Sequence, residues 1–181
     1  LCVPITPNTP HSSCMTTALF MLAIIVMGQN RVDAASWGAK NLFTTPKKTR
    51  GTWYYKHEGE IKKLKITTHT FNKIKLYKML SSNKAIKWTK KLAKADKKSG
   101  YKLAQKVGTS QYEATDFKFH KTPGFAANGW LSSDRADSGH TYVAIKKKDK
   151  SNNDKVDALR VGNGADNSFL YYCYKSKKLV K

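Results

Sequence analysis

Lysine and aliphatic residues alternate along two neighbouring stretches, "IKKLKI" at 61–66 and "IKLYK" at 74–78. A period of two is typical of a β-strand with one buried face, because successive side chains point to opposite sides of a sheet. A shift of one residue would bury the lysines, and an unpaired buried charge is strongly destabilising. We therefore expect Trp53, Leu64, Ile66, Ile74 and Leu76 to face inward, and Lys63, Lys65, Lys73 and Lys75 to face water.

Further β-favouring segments continue this pattern along the chain. The aromatic run "GTWYYKHE" precedes the first alternating stretch, and "HTYVAIKKK", "KVDALRVG" and "SFLYYCYKS" end the chain as a meander with polar turns between them. We also interpret 101–107 as a strand, and 121–139, with its proline and glycines, as a long loop. These segments predict a mainly β domain of seven or eight mostly antiparallel strands. The sheet is either strongly twisted or closed into a barrel, because closure removes exposed edges.

One segment has a helical period instead. Ala85, Trp88, Leu92 and Ala95 recur at helical spacing and predict a basic amphipathic helix over 84–96. Such a helix either packs its apolar stripe against the sheet or lies on an anionic lipid surface.

The N-terminal region is typical of an export signal. Residues 16–27 form an apolar run of the length of a signal-peptide core, shorter than a membrane span requires. The residues that follow, "VDA" at 32–34, have the small side chains typical of a signal-peptidase site, so we expect cleavage after Ala34. The predicted organisation is a signal peptide with an untypical upstream segment at 1–34, an N-terminal extension at 35–49 and a single β domain at 50–181. The alternative is that the apolar run forms a buried helix of the domain.

The charge of the chain points to a polyanionic partner. The formal net charge is +22, and only Arg31, Arg50, Arg135 and Arg160 of the 34 basic residues are arginine. A coat of lysine favours salt-sensitive attraction to a polyanion over specific phosphate or base readout, which usually employs arginine. We therefore expect an exported protein on the cell surface that binds an anionic wall polymer or a membrane surface, and no specific nucleic acid. The candidate polyanion-binding residues are Lys62, Lys63, Lys65, Lys73, Lys75, Lys87, Lys90 and Lys91.

The residues offer little support for catalysis. The cysteines Cys2 and Cys14 precede the apolar run, which leaves Cys173 as a packed thiol without a disulfide partner, a pattern that suits a Gram-positive exporter. The histidines have no metal-ligand spacing, and "DRADSGH" at 134–140 is better explained as a turn than as a triad. We predict no metal site, no cofactor and no enzymatic activity. A secreted hydrolase remains an alternative.

Several short signatures resemble a known group of proteins. The segments "AASWG", "TPKKTRGTWYY" and "YYCYKSKKLVK" resemble uncharacterised small, lysine-rich secreted proteins of lactic-acid bacteria. This resemblance implies export and provides no catalytic residues.

The tripeptide "GTW", from Gly51 to Trp53, resembles the Gly-x-Trp motif of lipocalin-type barrels. In those barrels the tryptophan closes the barrel base against a basic residue from late in the chain. The resemblance implies that Gly51, Trp53 and Arg160 are candidates for this closing contact, and that the protein is, as a second hypothesis, a carrier of a small apolar ligand.

Overall fold

The computed structural model describes residues 37–132, 139–149, 153–164 and 166–180. Within these ranges the chain forms a closed barrel of nine strands that pair in sequence order, together with two helices. The strands are β1 (Gly51–His57), β2 (Glu60–Ile66), β3 (Thr70–Phe71), β4 (Ile74–Lys78), β5 (Gln111–Phe119), β6 (Thr122–Gly129), β7 (His140–Lys148), β8 (Lys155–Asn163) and β9 (Ser168–Tyr174). The helices are α1 (Ser82–Lys98) and α2 (Leu103–Ser110). The expectations of a mainly β chain and a closed sheet are confirmed.

The strand order has one crossover. Every neighbouring pair of strands is antiparallel except β4 and β5, which are parallel. A parallel pair needs a long connection, and α1 and α2 form it. The barrel closes where Tyr54 of β1 pairs with Tyr174 of β9.

The interior of the barrel is filled by apolar and aromatic side chains. Phe71 and Tyr142 lie with their ring centroids 4.9 Å apart, and Phe43 and Phe125 lie 6.0 Å apart. The register brings inward-facing residues into rows, such as Ala144, Leu159 and Cys173. The buried members of this core are Phe43, Trp53, Leu64, Ile66, Leu76, Ala114, Phe125, Ala127, Tyr142, Leu159, Val161 and Cys173.

The two lysine-rich stretches have the orientation that their alternation predicts. Trp53 pairs with Leu64, and both are buried with Ile66 and Leu76, whereas Ile74 is half-buried. Lys63, Lys65, Lys73 and Lys75 are exposed.

A second apolar cluster covers the outside of the barrel. Tyr77 faces away from the interior and packs with Leu92 of α1, Val107 of α2 and Trp130. The segment before β1 joins both clusters, because Phe43 packs in the interior and the Trp130 indole N–H donates to the Trp37 carbonyl oxygen at 3.0 Å. Residues 37–49, the described part of the extension expected at 35–49, therefore contribute to both cores.

Two segments differ from the sequence-based expectation. Residues 101–107, predicted as a strand, contain the start of α2, so the described ranges have two α-helices instead of the one expected. The carboxylate of Asp96 caps this helix by accepting from the backbone N–H groups of Leu103 at 2.6 Å and Ala104 at 2.9 Å. Residues 121–139, predicted as a loop, contain β6.

The expected signal peptide, residues 1–34, lies outside the described residues, as do Cys2, Cys14 and most of the "DRADSGH" segment. Among the described helices none is sufficiently long and apolar to cross a membrane.

Candidate functional site

One side of α1 is densely positive. Its lysines are all exposed and fall within an arc of about 140° at 100° per residue. The opposite side buries Ala85, Leu92 and Asp96, and Leu92 packs in the outer apolar cluster. The helix therefore packs on the domain and presents its charge to solvent. We name this surface the lysine face, which consists of Lys84, Lys87, Lys90, Lys91, Lys94, Lys97 and Lys98.

The sequence-based candidates fall on two parts of the structure. Lys87, Lys90 and Lys91 belong to the lysine face, but the other four members of that face were not among the candidates. Lys63 and Lys65 are exposed on β2, Lys75 is exposed on β4, and Lys73 is exposed in the turn just before β4. Lys62 differs, because it is half-buried and pairs with Glu60.

Few of these lysines are neutralised by carboxylates. Of the lysines that the structure describes, only Lys62 and Lys146 have an ion pair, with Glu60 and with Asp157 respectively. Lys146 lies 2.8 Å from its partner. The lysine face therefore carries a charge that no described acidic side chain compensates.

A cavity of about 720 Å³ lies between α1 and the outer wall of the barrel. On β5, Tyr112 and Ala114 face the interior core, so the intervening Glu113, Thr115 and Phe117 belong to the outer wall and line the cavity. The helix provides further lining residues, among them Ala85, Ile86 and Lys90. The cavity thus lies on the outer side of the sheet, and Ala127 belongs both to its lining and to the packed interior.

Trp53 is in contact with a basic residue from late in the chain, but this residue is Lys175 and not the expected Arg160. The Lys175 ammonium nitrogen lies 3.5 Å from the Trp53 ring centroid and donates to the Arg50 carbonyl oxygen at 2.8 Å. The Trp53 indole N–H donates to the Thr49 carbonyl oxygen at 2.8 Å. Arg160 was the wrong partner. The signal for Lys175 was present in the sequence, since it follows the final strand directly.

Arg160 instead lies on the outer wall. Its guanidinium carbon is 4.2 Å from the Phe119 ring centroid, and its two terminal nitrogens donate to the Asn167 side-chain and backbone oxygens at 2.7 and 2.9 Å. The Thr141 hydroxyl donates to the same side-chain oxygen of Asn167. This contact orders the β8–β9 connection.

His69, His140 and Cys173 have surroundings that favour a role in packing over a role in catalysis. The His69 ring nitrogen Nδ1 lies 2.8 Å from the Phe43 carbonyl oxygen, and burial lowers the pKa of His140. Burial raises the pKa of the Cys173 thiol to about 12, so it is protonated and unreactive near neutral pH. Across the described residues no group of three His, Cys, Asp or Glu side chains has the arrangement of a metal site.

No match to this chain was found among protein-family models, curated proteins or solved structures.

Proposed function

We propose that this protein is an exported, non-enzymatic protein that adheres to the anionic cell envelope through the lysine face of α1. The observation that supports the proposal is the position of seven exposed lysines on one side of a single helix, without an acidic partner among the described residues. The anionic partner is a teichoic-acid-like polymer or an anionic lipid surface. The exposed lysines of β2 and β4 add to the same attraction.

The energy of such an interaction is a sum of small contributions. Each lysine near an anionic membrane surface contributes about 1 kcal/mol. Lysine is a compact, hydrated charge that is attracted to a surface without needing a fixed geometry. Since exposed charges are screened within about 8 Å at 0.15 M ionic strength, the protein should leave the surface as salt is raised.

The role of the lysine face in binding can be tested with two variants that lose the same net charge, one on this face and one elsewhere. In a first variant Lys84, Lys87, Lys91 and Lys94 are changed to glutamine. In a control variant the same net change is made at four exposed lysines elsewhere, Lys118, Lys121, Lys148 and Lys155. Each protein is sedimented with vesicles that contain phosphatidylglycerol and, separately, with insoluble cell wall that carries teichoic acid, over a series of salt concentrations.

We expect the first variant to dissociate at clearly lower salt than the control. Equal loss in the two variants would mean that binding follows net charge alone, and the lysine face would be rejected as the site. Binding that persists at high salt would reject the electrostatic mechanism itself.

Export is tested on the producing cell. We expect the protein in the cell-associated fraction, released by salt, with an N-terminus at Ala35. Its absence from the cell exterior would contradict the proposal.

A further inference from the structure

We propose that the cavity beneath α1 binds the chain of a single-chain anionic amphiphile, such as a long-chain fatty acid, with the charged head beside Lys90. This inference does not depend on the envelope proposal, because it concerns the space between the helix and the barrel rather than the outward surface of the helix.

The size and lining of the cavity fit one apolar chain. Its volume of about 720 Å³ is within the range of about 300–1,000 Å³ that is typical of small-molecule sites. Leu80, Ala85, Phe117 and Ala126 form apolar parts of the wall. A long hydrocarbon chain placed there would exchange water for apolar contact, which favours binding in proportion to the area buried.

Apolar residues at the rim are left exposed to water. Ile86 is 54% exposed and Met79 is 40% exposed, and both line the cavity. Ile86 is next to Lys87 on a helix that is otherwise strongly polar on its solvent side. An amphiphile entering at this rim would cover part of this exposed surface.

The charges determine the direction in which the amphiphile would lie. Lys90 lines the cavity and also belongs to the lysine face, so a positive potential lies where the cavity meets that surface. Lys90 is the only basic residue among the described residues that line the cavity, whereas the deeper wall is mostly apolar or uncharged. The hydrocarbon chain of the amphiphile therefore lies inside the cavity, and its anionic head lies at Lys90.

The proposal is tested with cis-parinaric acid, a fatty acid whose fluorescence rises in an apolar site. The full chain should give a saturable rise at one probe per protein. Hexadecanoate should displace the probe, and hexadecylamine should displace it much less. A lack of saturable binding, or equal displacement by the amine, would overturn the proposal.

Variants locate the site. Ala126→Phe fills the cavity and should weaken probe binding by about tenfold or more, whereas Ala104→Phe, at an exposed position of α2, should leave it unchanged. Ile86→Glu changes an exposed residue that does not hold the fold together, and it should also weaken binding. Thermal unfolding shows whether each variant is folded. Undiminished binding in folded Ala126→Phe and in Ile86→Glu would overturn the proposal.

The head-group contact is tested by a pair of variants with equal charge. Lys90→Gln should weaken probe binding about two- to fivefold, as expected for an exposed ion pair worth less than about 1 kcal/mol. Lys94→Gln lies on the same face outside the cavity lining and should have little effect. An equal effect of the two variants would reject Lys90 as the head-group contact. Because sedimentation on anionic vesicles depends on the other lysines, either proposal can fail while the other stands.

Discussion

Lys175 and Trp53 connect the first and the last strand of the barrel: the lysine ammonium lies 3.5 Å from the centroid of the indole ring, although 121 residues lie between the two in the sequence. Trp53 belongs to β1, and Lys175 immediately follows β9. The same ammonium donates to the Arg50 carbonyl oxygen, and the Arg50 guanidinium in turn donates to the Thr45 carbonyl oxygen at 2.6 Å. This chain of contacts connects the segment before β1, the first strand and the last strand.

We expect Lys175→Met to lower the free energy of unfolding by about 1–2 kcal/mol, because it removes a cation–π contact and one hydrogen bond while it keeps an apolar stem. Urea unfolding followed by tryptophan fluorescence measures the change. The control is Lys177→Met, since its ammonium is 5.6 Å from the Tyr54 ring centroid and should contribute less than about 0.5 kcal/mol. Equal effects in the two variants would contradict the role of Lys175.

Gly51→Ala should destabilise the fold by about 1–3 kcal/mol for two reasons. The backbone φ of Gly51 is +118°, which an L-residue rarely adopts, and a Cβ atom there would lie 2.5 Å from the Lys175 ammonium. Gly59→Ala is the matched control, because Gly59 also has positive φ but its Cβ would meet open space. Adding Lys175→Met to Gly51→Ala should relieve the clash and leave the strain, so the two changes should not be additive in denaturant unfolding.

Gln111→Met should stabilise the protein by about 1 kcal/mol or more. Gln111 is 1% exposed, and among the described residues neither of its amide atoms has a hydrogen-bond partner. A buried polar group without a partner costs about 1–3 kcal/mol, and methionine has a similar shape without that cost. Thermal unfolding measures the gain. Gln105→Met, at an exposed position, should change little. A marked loss of stability in Gln111→Met would contradict the account.

The fold should lose stability in alkali. Burial raises the pKa values of Cys173 and Tyr171 to about 12, above the unfolded values of about 8.5 and 10. The unfolded chain therefore releases these protons at lower pH than the folded chain. The stability that these groups contribute is fully present below about pH 8 and decreases as the pH rises. Urea unfolding at a series of pH values should show this decrease, with a smaller slope above pH 9 in Cys173→Ala.

The burial of Cys173 can also be tested through the reactivity of its thiol. Iodoacetamide near neutral pH should leave the peptide that carries Cys173 unmodified in the folded protein and modify it in concentrated guanidinium chloride, as peptide mass mapping would show. Rapid modification in the folded state would contradict its burial.

The strands were predictable where one face meets water. The alternation of Lys65 with Leu64 and Ile66 is a local pattern that fixes which face is buried, and the structure has it as expected. β6 was missed because its glycines suggested a loop, yet they serve close backbone approaches. A Cβ on Gly124 would lie 2.4 Å from the Tyr142 carbonyl oxygen, and one on Gly129 would lie 2.8 Å from the Gly108 carbonyl oxygen. These neighbours are distant in sequence.

The helix α2 was missed for a related reason. Its N-terminal amides are satisfied by Asp96, a residue at the end of α1, so the capping signal is not in the segment itself. The cavity was also beyond sequence reasoning, because Glu113 of β5 and Ile86 of α1 line it together only through the crossover between β4 and β5. The positive charge of α1, in contrast, was evident from its lysines.

The closure of the barrel has a consequence for how the chain folds. Tyr54 pairs with Tyr174 although 119 residues lie between them, whereas the other strand pairs join strands that are neighbours in sequence order. Contacts between distant residues form slowly, because the intervening chain must first be ordered. While the chain is being synthesised, β1 therefore keeps an unpaired edge until β9 has emerged. We expect the barrel of the nascent chain to remain open until its last strand is complete.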